Sequence, residues 1–413
     1  MQNRGCGLHA TRVLEANAVV ATVHEKALIS ESTVVLTSSI GPAVADAVHS
    51  CKSELRLVER QGGFYSLLLW LMWARAKEGT TKDPLVAEYI ENLPDDPRSA
   101  LRWSEEALLR LRGSALASIV SQWKRNAAGD QACLVSRLRA QGQAILADAV
   151  AAPSAFLWAA ATLFSRGFFF EAGEIALVPA MDMFNFAAQP SLKLQATRKV
   201  GQGFVLSTNA SRPAGEEILD YGGSSDDKTV LLNHGFQFAQ MNTTQIDIIF
   251  NASHNSDWRR FCKDQADDEL NAWKLEALAL NKPGEEFSFR LPGALATPAE
   301  KLSSEYWART VQQGLPQDLL FVLRVQLLER SEVDDVANAF RYEPVSDANE
   351  RRVAAFLEVE VQDLLKSYPS AELASATGPE DASLPWDVKQ ATVLVQRERQ
   401  LLGNILQVLN KMP

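Results

Sequence analysis

Apolar and polar positions alternate in several distinct regimes along this chain. Between residues 8 and 37, the β-branched stretches Val19-Val20-Ala21-Thr22-Val23 and Val34-Val35-Leu36-Thr37 are separated by turn-like breaks, which predicts short strands. From about Gly62 to Leu146 the spacing becomes helical. Its most apolar segment, Phe64 to Ala74, is far short of the roughly 20 residues needed to cross a bilayer and predicts a buried helix. Ser104 followed by Glu105 and Glu106 predicts an N-cap with a dipole-favourable first turn, and Gly113 the end of that helix. Residues 153–165 continue as an apolar helix.

Strand patterns return at Ile175-Ala176-Leu177-Val178-Pro179, Leu192 to Ala196, Phe204 to Thr208 and Glu217 to Tyr221. Lys199-Val200-Gly201-Gln202-Gly203 and Arg212-Pro213-Ala214-Gly215 separate them with turn chemistry. After about residue 255 the periodicity is almost entirely helical, as at Leu319-Leu320-Phe321-Val322-Leu323 and Val353 to Leu365, with a long inter-helix loop near 368–386. The pattern therefore predicts a β-rich half, a helical insert, a second β-rich half and a helical domain.

At 413 residues, two or three packed units are expected, and 46% hydrophobic with 22% charged residues describes a globular chain. Charge sharpens the picture. Of a net −10, residues from 251 onward hold 26 acidic against 18 basic residues. An acidic chain with no basic stripe argues against nucleic acid as a ligand, and its acidic second half suits a basic protein partner or a merely solvated helical surface. No membrane association is expected.

Cys6, Cys51, Cys133 and Cys262 show no C-x-x-C pairing, and His9, His24, His49, His234 and His254 do not pair at helical spacing. No metal site is expected, and a reducing compartment is the economical reading. The first twelve residues, MQNRGCGLHATR, contain neither a signal core nor a transit pattern. The expectation is an intracellular protein of cytoplasm or nucleus, with a chloroplast address only if the true N-terminus lies upstream.

Three motifs in order change the reading from class to chemistry. Gly5-Cys6-Gly7-Leu8-His9-Ala10-Thr11-Arg12 is a glycine turn. Leu177-Val178-Pro179-Ala180-Met181-Asp182-Met183-Phe184-Asn185-Phe186 follows the helical insert. Gly215-Glu216-Glu217-Ile218-Leu219-Asp220-Tyr221-Gly222 then precedes Leu231-Leu232-Asn233-His234-Gly235-Phe236. Together they resemble the glycine turn, the LVP-x-x-D-x-x-N-H segment and the G-E-E…Y-G…GF ending of SET-domain protein methyltransferases. Tyr89-Ile90-Glu91-Asn92-Leu93-Pro94, Trp103-Ser104-Glu105-Glu106, Asn349-Glu350, Tyr368-Pro369 and Arg397-Glu398-Arg399-Gln400-Leu401-Leu402 are similar to the Rubisco large-subunit lysine methyltransferase group, which includes the actin histidine methyltransferase.

The resemblance implies an α+β fold: a pseudoknotted, β-rich SET domain over 1–240, with its helical insert at about 62–150. An all-α substrate-binding domain would follow over 255–413. It implies an S-adenosylmethionine-dependent protein-lysine N-methyltransferase acting on a protein with a target lysine, with a monomer as the expected state. A protein-histidine methyltransferase and an inactive SET scaffold used for protein binding stay open. Arg4, Gly5, Cys6, Arg166, Asp182, Asn185, Phe186, Gly235 and Phe236 would contact the cofactor. Tyr221 would be catalytic, orienting the amine. Phe168, Asp182, Tyr221 and His234 would face the substrate.

Phe186 stands in place of the family's histidine and His234 in place of a second tyrosine. Phe168 matches the lysine enzymes, whereas the actin histidine enzyme carries asparagine there. The plainer alternatives are a tight turn at Gly5-Gly7, a solvated helix-end cation at Arg166, turn capping by Asp182 and Asn185, and a core tyrosine at 221.

Overall fold

The computed structural model describes residues 7–58, 62–76, 83–169, 174–187, 192–195, 204–221, 227–237, 245–249, 261–262, 266–281, 286–290, 317–369 and 383–409. Contacts divide the chain into two compact units. One takes Met1–Trp103, Ser118–Ser225 and Thr229–Phe238; the other takes Ser104–Ala117, Asp226–Lys228 and Ala239–Pro413.

In the first unit, strands from both sides of a helical insert pair with each other. β1 (Val19–Val23), β2 (Ile29–Ser30), β3 (Gly167–Phe169), β4 (Ile175–Leu177), β5 (Asn185–Ala187), β6 (Leu192–Gln195), β7 (Phe204–Thr208) and β8 (Leu219–Tyr221) form three small sheets, ordered β1-β7-β6, β2-β4-β3 and β5-β8. The first two are antiparallel, whereas β5 and β8 run parallel, with Asn185 opposite Leu219 and Ala187 opposite Tyr221. Residues 8–14 run antiparallel to 212–218 through bridges His9↔Glu217 and Leu14↔Arg212. This chain-spanning pairing brings the segment that follows Gly7 to the G-E-E segment.

The expected buried helix is α2 of the insert, which includes α1 (Gly41–Cys51), α2 (Gly62–Ala76) and α3 (Pro84–Glu91). Every residue from Phe64 to Ala74 is buried, because α2 is apolar all round and is packed on all sides. Each large side chain so buried contributes roughly 1.5–3 kcal/mol. Strand β4 then serves two cores at once. Ile175 and Leu177 join the α2 cluster, while Ala176 and Val178 join a second one with Met181, Phe184, Leu206 and Ile218. Alternation along a strand imposes that division, and the second cluster underlies the candidate site.

Two local expectations are corrected. Val34 to Thr37 is not a strand; Glu31–Val35 forms a helical turn. Ser30 and Thr33 cap each other reciprocally, Ser30 N donating to Thr33 Oγ1 at 2.9 Å and Thr33 N to Ser30 Oγ at 3.4 Å. Such side chain to backbone bonds outweigh a weak β-propensity. The scattered cysteines are not all thiols either. Cys51 of α1 is disulfide-bonded to Cys133, 82 residues on, with Cα atoms 6.1 Å apart.

Asp130 organises the insert. It lies on the helix Ala115–Ala140 and is 1% exposed. Its carboxylate accepts from Arg56 N and Leu57 N at 2.8 Å each and from the Tyr65 hydroxyl at 2.7 Å. Burial drives the Tyr65 phenol well above its ordinary range. Asp130→Asn turns an amide NH2 toward these donors and leaves at least one unsatisfied. A loss of about 2 kcal/mol in urea unfolding is expected, and unchanged stability would contradict this role.

In the second unit, Ser104 caps the helix Glu105–Arg110 by accepting from Ala107 N at 3.2 Å, and its hydroxyl donates to Asp387 at 2.6 Å. Helices Asp268–Asn281, Gln317–Gln326, Asp347–Ser367 and Trp386–Leu409 make up most of the rest. Arg324 is fully buried and forms a bidentate pair with Glu350 at 2.6 and 3.1 Å. The helical periodicity after residue 255 did not reveal β10 (Glu286–Arg290), which pairs antiparallel with β9 (Gln245–Ile249).

Candidate functional site

The LVP segment is where the first unit concentrates polar chemistry. β4 ends at Leu177, Ala180 turns the chain through φ +70°, and β5 begins at Asn185. Buried Met181 and Phe184 anchor this turn in the second core cluster. Asp182 and Asn185 are thereby brought to one cavity of about 1350 Å³ together with Arg166 from the end of the helix Pro153–Arg166. Trp70 and Trp73 of α2 and Tyr89 of α3 form part of its wall.

The side chain of Asp182 is 1% exposed and that of Arg166 28%. Arg166 Nη1 donates to Asp182 Oδ2 and to its backbone oxygen, both at 3.0 Å. The Tyr89 hydroxyl donates to the same Oδ2 at 2.7 Å. Burial, followed by the nearby Asp182 charge, pushes the Tyr89 phenol well above its ordinary value, so it remains a donor. Asp182 Oδ1 is buried and has no hydrogen-bond partner among the described residues. Nothing in the local sequence flags Tyr89 as a site residue; only the fold of the insert places it here.

Asn185 is held separately. Its Nδ2 donates to Glu217 Oε1 at 2.6 Å. Gly7 packs directly against this pair, and a Cβ there would lie 2.3 Å from Glu217 Oε1 and 2.6 Å from Asn185 Nδ2. Gly7 thus reaches the LVP segment, and Glu217, to which sequence reading gave no role, joins them.

Phe186, one residue further along β5, points into an aromatic group. Its ring centroid lies 4.7 Å from that of His234 and 6.4 Å from that of Phe236. Burial lowers the His234 imidazole to about 4; a hydrogen bond with the Ser165 backbone opposes this and the Arg166 charge adds to it. His234 is therefore neutral at pH 7. The surroundings of Phe186 suit an apolar ring, so Phe186→His would bury a second imidazole among aromatics. A fall in Tm corresponding to roughly 1–2 kcal/mol is expected, with no gain in ligand affinity. A tightened ligand with unchanged melting would contradict it.

Phe168 is half-buried on β3 and packs on the second core cluster. Gly235 ends the helix α-turned at Asp227–His234 with φ +72° and sits against the backbone of Arg98. It is not among the residues that line the cavity. Arg4, Gly5 and Cys6 lie outside the described residues, as does the side chain of Tyr221. The Tyr221 backbone stands in β8, two register positions from the Asn185 pairing.

Residues 265–402 match the family model of the Rubisco LSMT substrate-binding domain. The chain is 26% identical over 242 residues to the Ribulose-1,5 bisphosphate carboxylase/oxygenase large subunit N-methyltransferase, chloroplastic, of Pisum sativum. That match covers 56% of this chain and 45% of the relative. It is 24% identical over 330 residues to the [Fructose-bisphosphate aldolase]-lysine N-methyltransferase, chloroplastic, of Arabidopsis thaliana, covering 76% of this chain and 60% of the relative. The chain thus spans only about half of these curated relatives' length. Among solved structures, the SET domain of LSMT bound to lysine and AdoHcy superposes with TM-score 0.69 at 20% identity, covering 99% of this chain and 85% of that one. Rubisco LSMT bound to AdoMet gives 0.65 at 20% identity with the same coverage. The chain thus has the α+β fold of the LSMT SET-domain structures, and its residues 265–402 match the Rubisco LSMT substrate-binding domain.

Proposed function

We propose that this protein is an S-adenosylmethionine-dependent protein-lysine N-methyltransferase. The observation that carries the reading is that Arg166 at a helix end, Asp182 in the following turn and Asn185 at the start of a strand line one cavity in an LSMT-type fold. The donor set suits an amino-acid sulfonium. Asp182 Oδ1 is a buried acceptor lacking a partner among the described residues, and Arg166 is a cation at the cavity wall.

When bound, S-adenosylmethionine would supply an electrophilic methyl group for in-line transfer. The chain's own contribution is positioning. Arg166 and Tyr89 together fix the Asp182 carboxylate, and Tyr221 would orient the incoming amine. Aligning nucleophile and methyl can supply several kcal/mol of barrier reduction. Burial of the amine in a narrow channel would lower its pKa and favour the neutral, nucleophilic form.

Phe168 supports lysine over histidine, because an apolar ring suits an aliphatic stem while an imidazole needs a polar partner to fix its tautomer. The acidic charge beyond residue 250 supports a basic protein as substrate. Calorimetric titration with S-adenosylmethionine, followed by mass spectrometry of methylated candidate proteins, tests the reading. Binding and methyl-lysine product are expected. Methyl-histidine alone would overturn the lysine assignment. Absence of binding would favour the inactive scaffold, for which Phe186 in its aromatic surroundings is the supporting observation.

A further inference from the structure

We propose that the Cys51–Cys133 disulfide is a redox-sensitive clamp on one wall of the candidate cavity, tightening ligand binding when oxidised and relaxing it when reduced. The cavity is probed with S-adenosylhomocysteine, so the inference rests on the methyltransferase reading.

Helix α1 links the bond to the cavity. Its first residue, Gly41, sits directly on the turn before it. Gly41 N donates to Ser38 O at 3.1 Å, and a Cβ at position 41 would lie 2.5 Å from Val35 O. The Ser38 hydroxyl donates to that same carbonyl at 2.7 Å. Thr33, Val34, Thr37, Ser38 and Ser39 of this segment line the cavity. Along α1, Val44, Ala47, Val48 and Cys51 fall at helical spacing and are all buried, so the helix packs as one stiff unit about 16 Å long. Its last residue is Cys51. A cavity-wall turn therefore stands at one end of α1 and the disulfide at the other.

The far anchor has two parts. Cys51 is bonded to Cys133 on the helix Ala115–Ala140. One turn earlier on that helix, Asp130 accepts from Arg56 N and Leu57 N, and Asn126 Nδ2 donates to Arg56 O at 3.2 Å. These hydrogen bonds hold the chain just beyond α1. The disulfide is the covalent tie on α1 itself, beside an exposed hydrogen bond from Gln141 Nε2 to Asp46 Oδ2 at 2.6 Å. Reduction therefore loosens α1 and the turn it supports, while Asp130 keeps the insert folded. A looser wall must be ordered again when a ligand binds, and that cost appears as weaker affinity.

Cys51 is fully buried and Cys133 partly buried, so a small dithiol reaches the bond from the Cys133 side. Its thiolate forms a mixed disulfide with Cys133 and expels Cys51. The second thiol then closes a ring disulfide on the reagent and releases Cys133. The reagent is oxidised, and its two protons end on the two cysteine sulfurs.

The test compares the full chain oxidised with glutathione disulfide and the same chain reduced with dithiothreitol. Iodoacetamide labelling under denaturing conditions, followed by peptide mapping, should leave Cys51 and Cys133 unlabelled in the first sample and labelled in the second. Calorimetry should show S-adenosylhomocysteine binding about fivefold more weakly to the reduced chain. Its Tm should fall by several degrees, with unfolding still cooperative. By linkage, saturating S-adenosylhomocysteine should raise the reduced-to-oxidised dithiothreitol ratio needed for half-reduction by the same factor. The double variant Cys51→Ala with Cys133→Ala should bind like the reduced wild type in either redox state. If that variant does not fold, the wild-type comparison decides alone. Labelling of both cysteines in the oxidised sample overturns the clamp. Equal affinity in the two redox states also overturns it, leaving the disulfide a plain stabilising cross-link and the methyltransferase reading intact. If neither state binds the ligand, the methyltransferase reading fails and this inference fails with it.

Discussion

Tyr221→Phe is expected to lower kcat by about 100-fold while leaving cofactor affinity within a few-fold of wild type. Strand β8 carries Tyr221 parallel to β5, at the position opposite Ala187 and two residues along from the Asn185–Leu219 pair. Tyr221 and Asn185 therefore stand on adjacent strands. The hydroxyl would act on the amine and on the transferring methyl, through an oriented hydrogen bond and weak C–H···O contacts. Those interactions develop on the way to the transition state, so their loss belongs in kcat and not in ligand binding. Single-turnover transfer of a labelled methyl group, beside a calorimetric titration, separates the two. Full turnover by the mutant would remove Tyr221 from its assigned role, and a parallel collapse of affinity would make it a packing residue.

Gly235→Ala is expected to be the most damaging single methyl group that can be added near the site. A Cβ there would lie 1.7 Å from the carbonyl oxygen of Arg98, well inside contact distance of a backbone atom. That carbonyl is not free to retreat, because it also accepts from Trp103 Nε1 at 3.1 Å. The adjoining turn is tied down by Ser99, whose hydroxyl donates to Leu232 O at 2.6 Å. The φ of +72° adds the cost of a left-handed conformation for an L-residue, about 1–2 kcal/mol. A total loss of roughly 4 kcal/mol or more is expected, seen as a large fall in Tm or in soluble yield. Gly215→Ala is the control. It has φ +86° but nothing within 4 Å of its would-be Cβ, so it should show only the conformational cost. Equal effects at both positions would mean that the Arg98 contact yields.

How far the site was legible follows from the kind of interaction at each residue. Arg166, Asp182 and Asn185 stood out because their motif order in sequence matched a known pattern, and they line one cavity in the folded chain. Tyr89 and Glu217 did not stand out as individual positions. Tyr89 lies 93 residues from Asp182 and Glu217 lies 32 from Asn185, and nothing local to either predicts the partner. Gly7 was read only as part of a glycine turn, whereas it packs directly against Glu217 and Asn185. Phe186 stood out in sequence as a departure from the family's histidine; its neighbours His234 and Phe236 make it part of an aromatic group.

The sequence by itself determined the features that depend on near neighbours in the chain. The unbroken apolar run made α2 a buried helix, Ser104 with Glu105 and Glu106 started the helix Glu105–Arg110, and strand-like segments between turn residues located β1, β4, β6 and β7. Helix periodicity, capping and alternation act within one or two turns of chain, so they can be read directly from residue order. Tertiary structure decided the rest. The turn at Glu31–Val35 prevailed over β-propensity through its Ser30–Thr33 cap, the β9–β10 ladder paired segments about 40 residues apart, and Cys51 met Cys133 across the insert. It also decided which oxygen of Asp182 is left without a partner among the described residues and which end of Asn185 faces a carboxylate. Those outcomes depend on which distant groups the folded backbone brings within about 3 Å, the range over which a hydrogen bond acts, and residue order does not specify that distance.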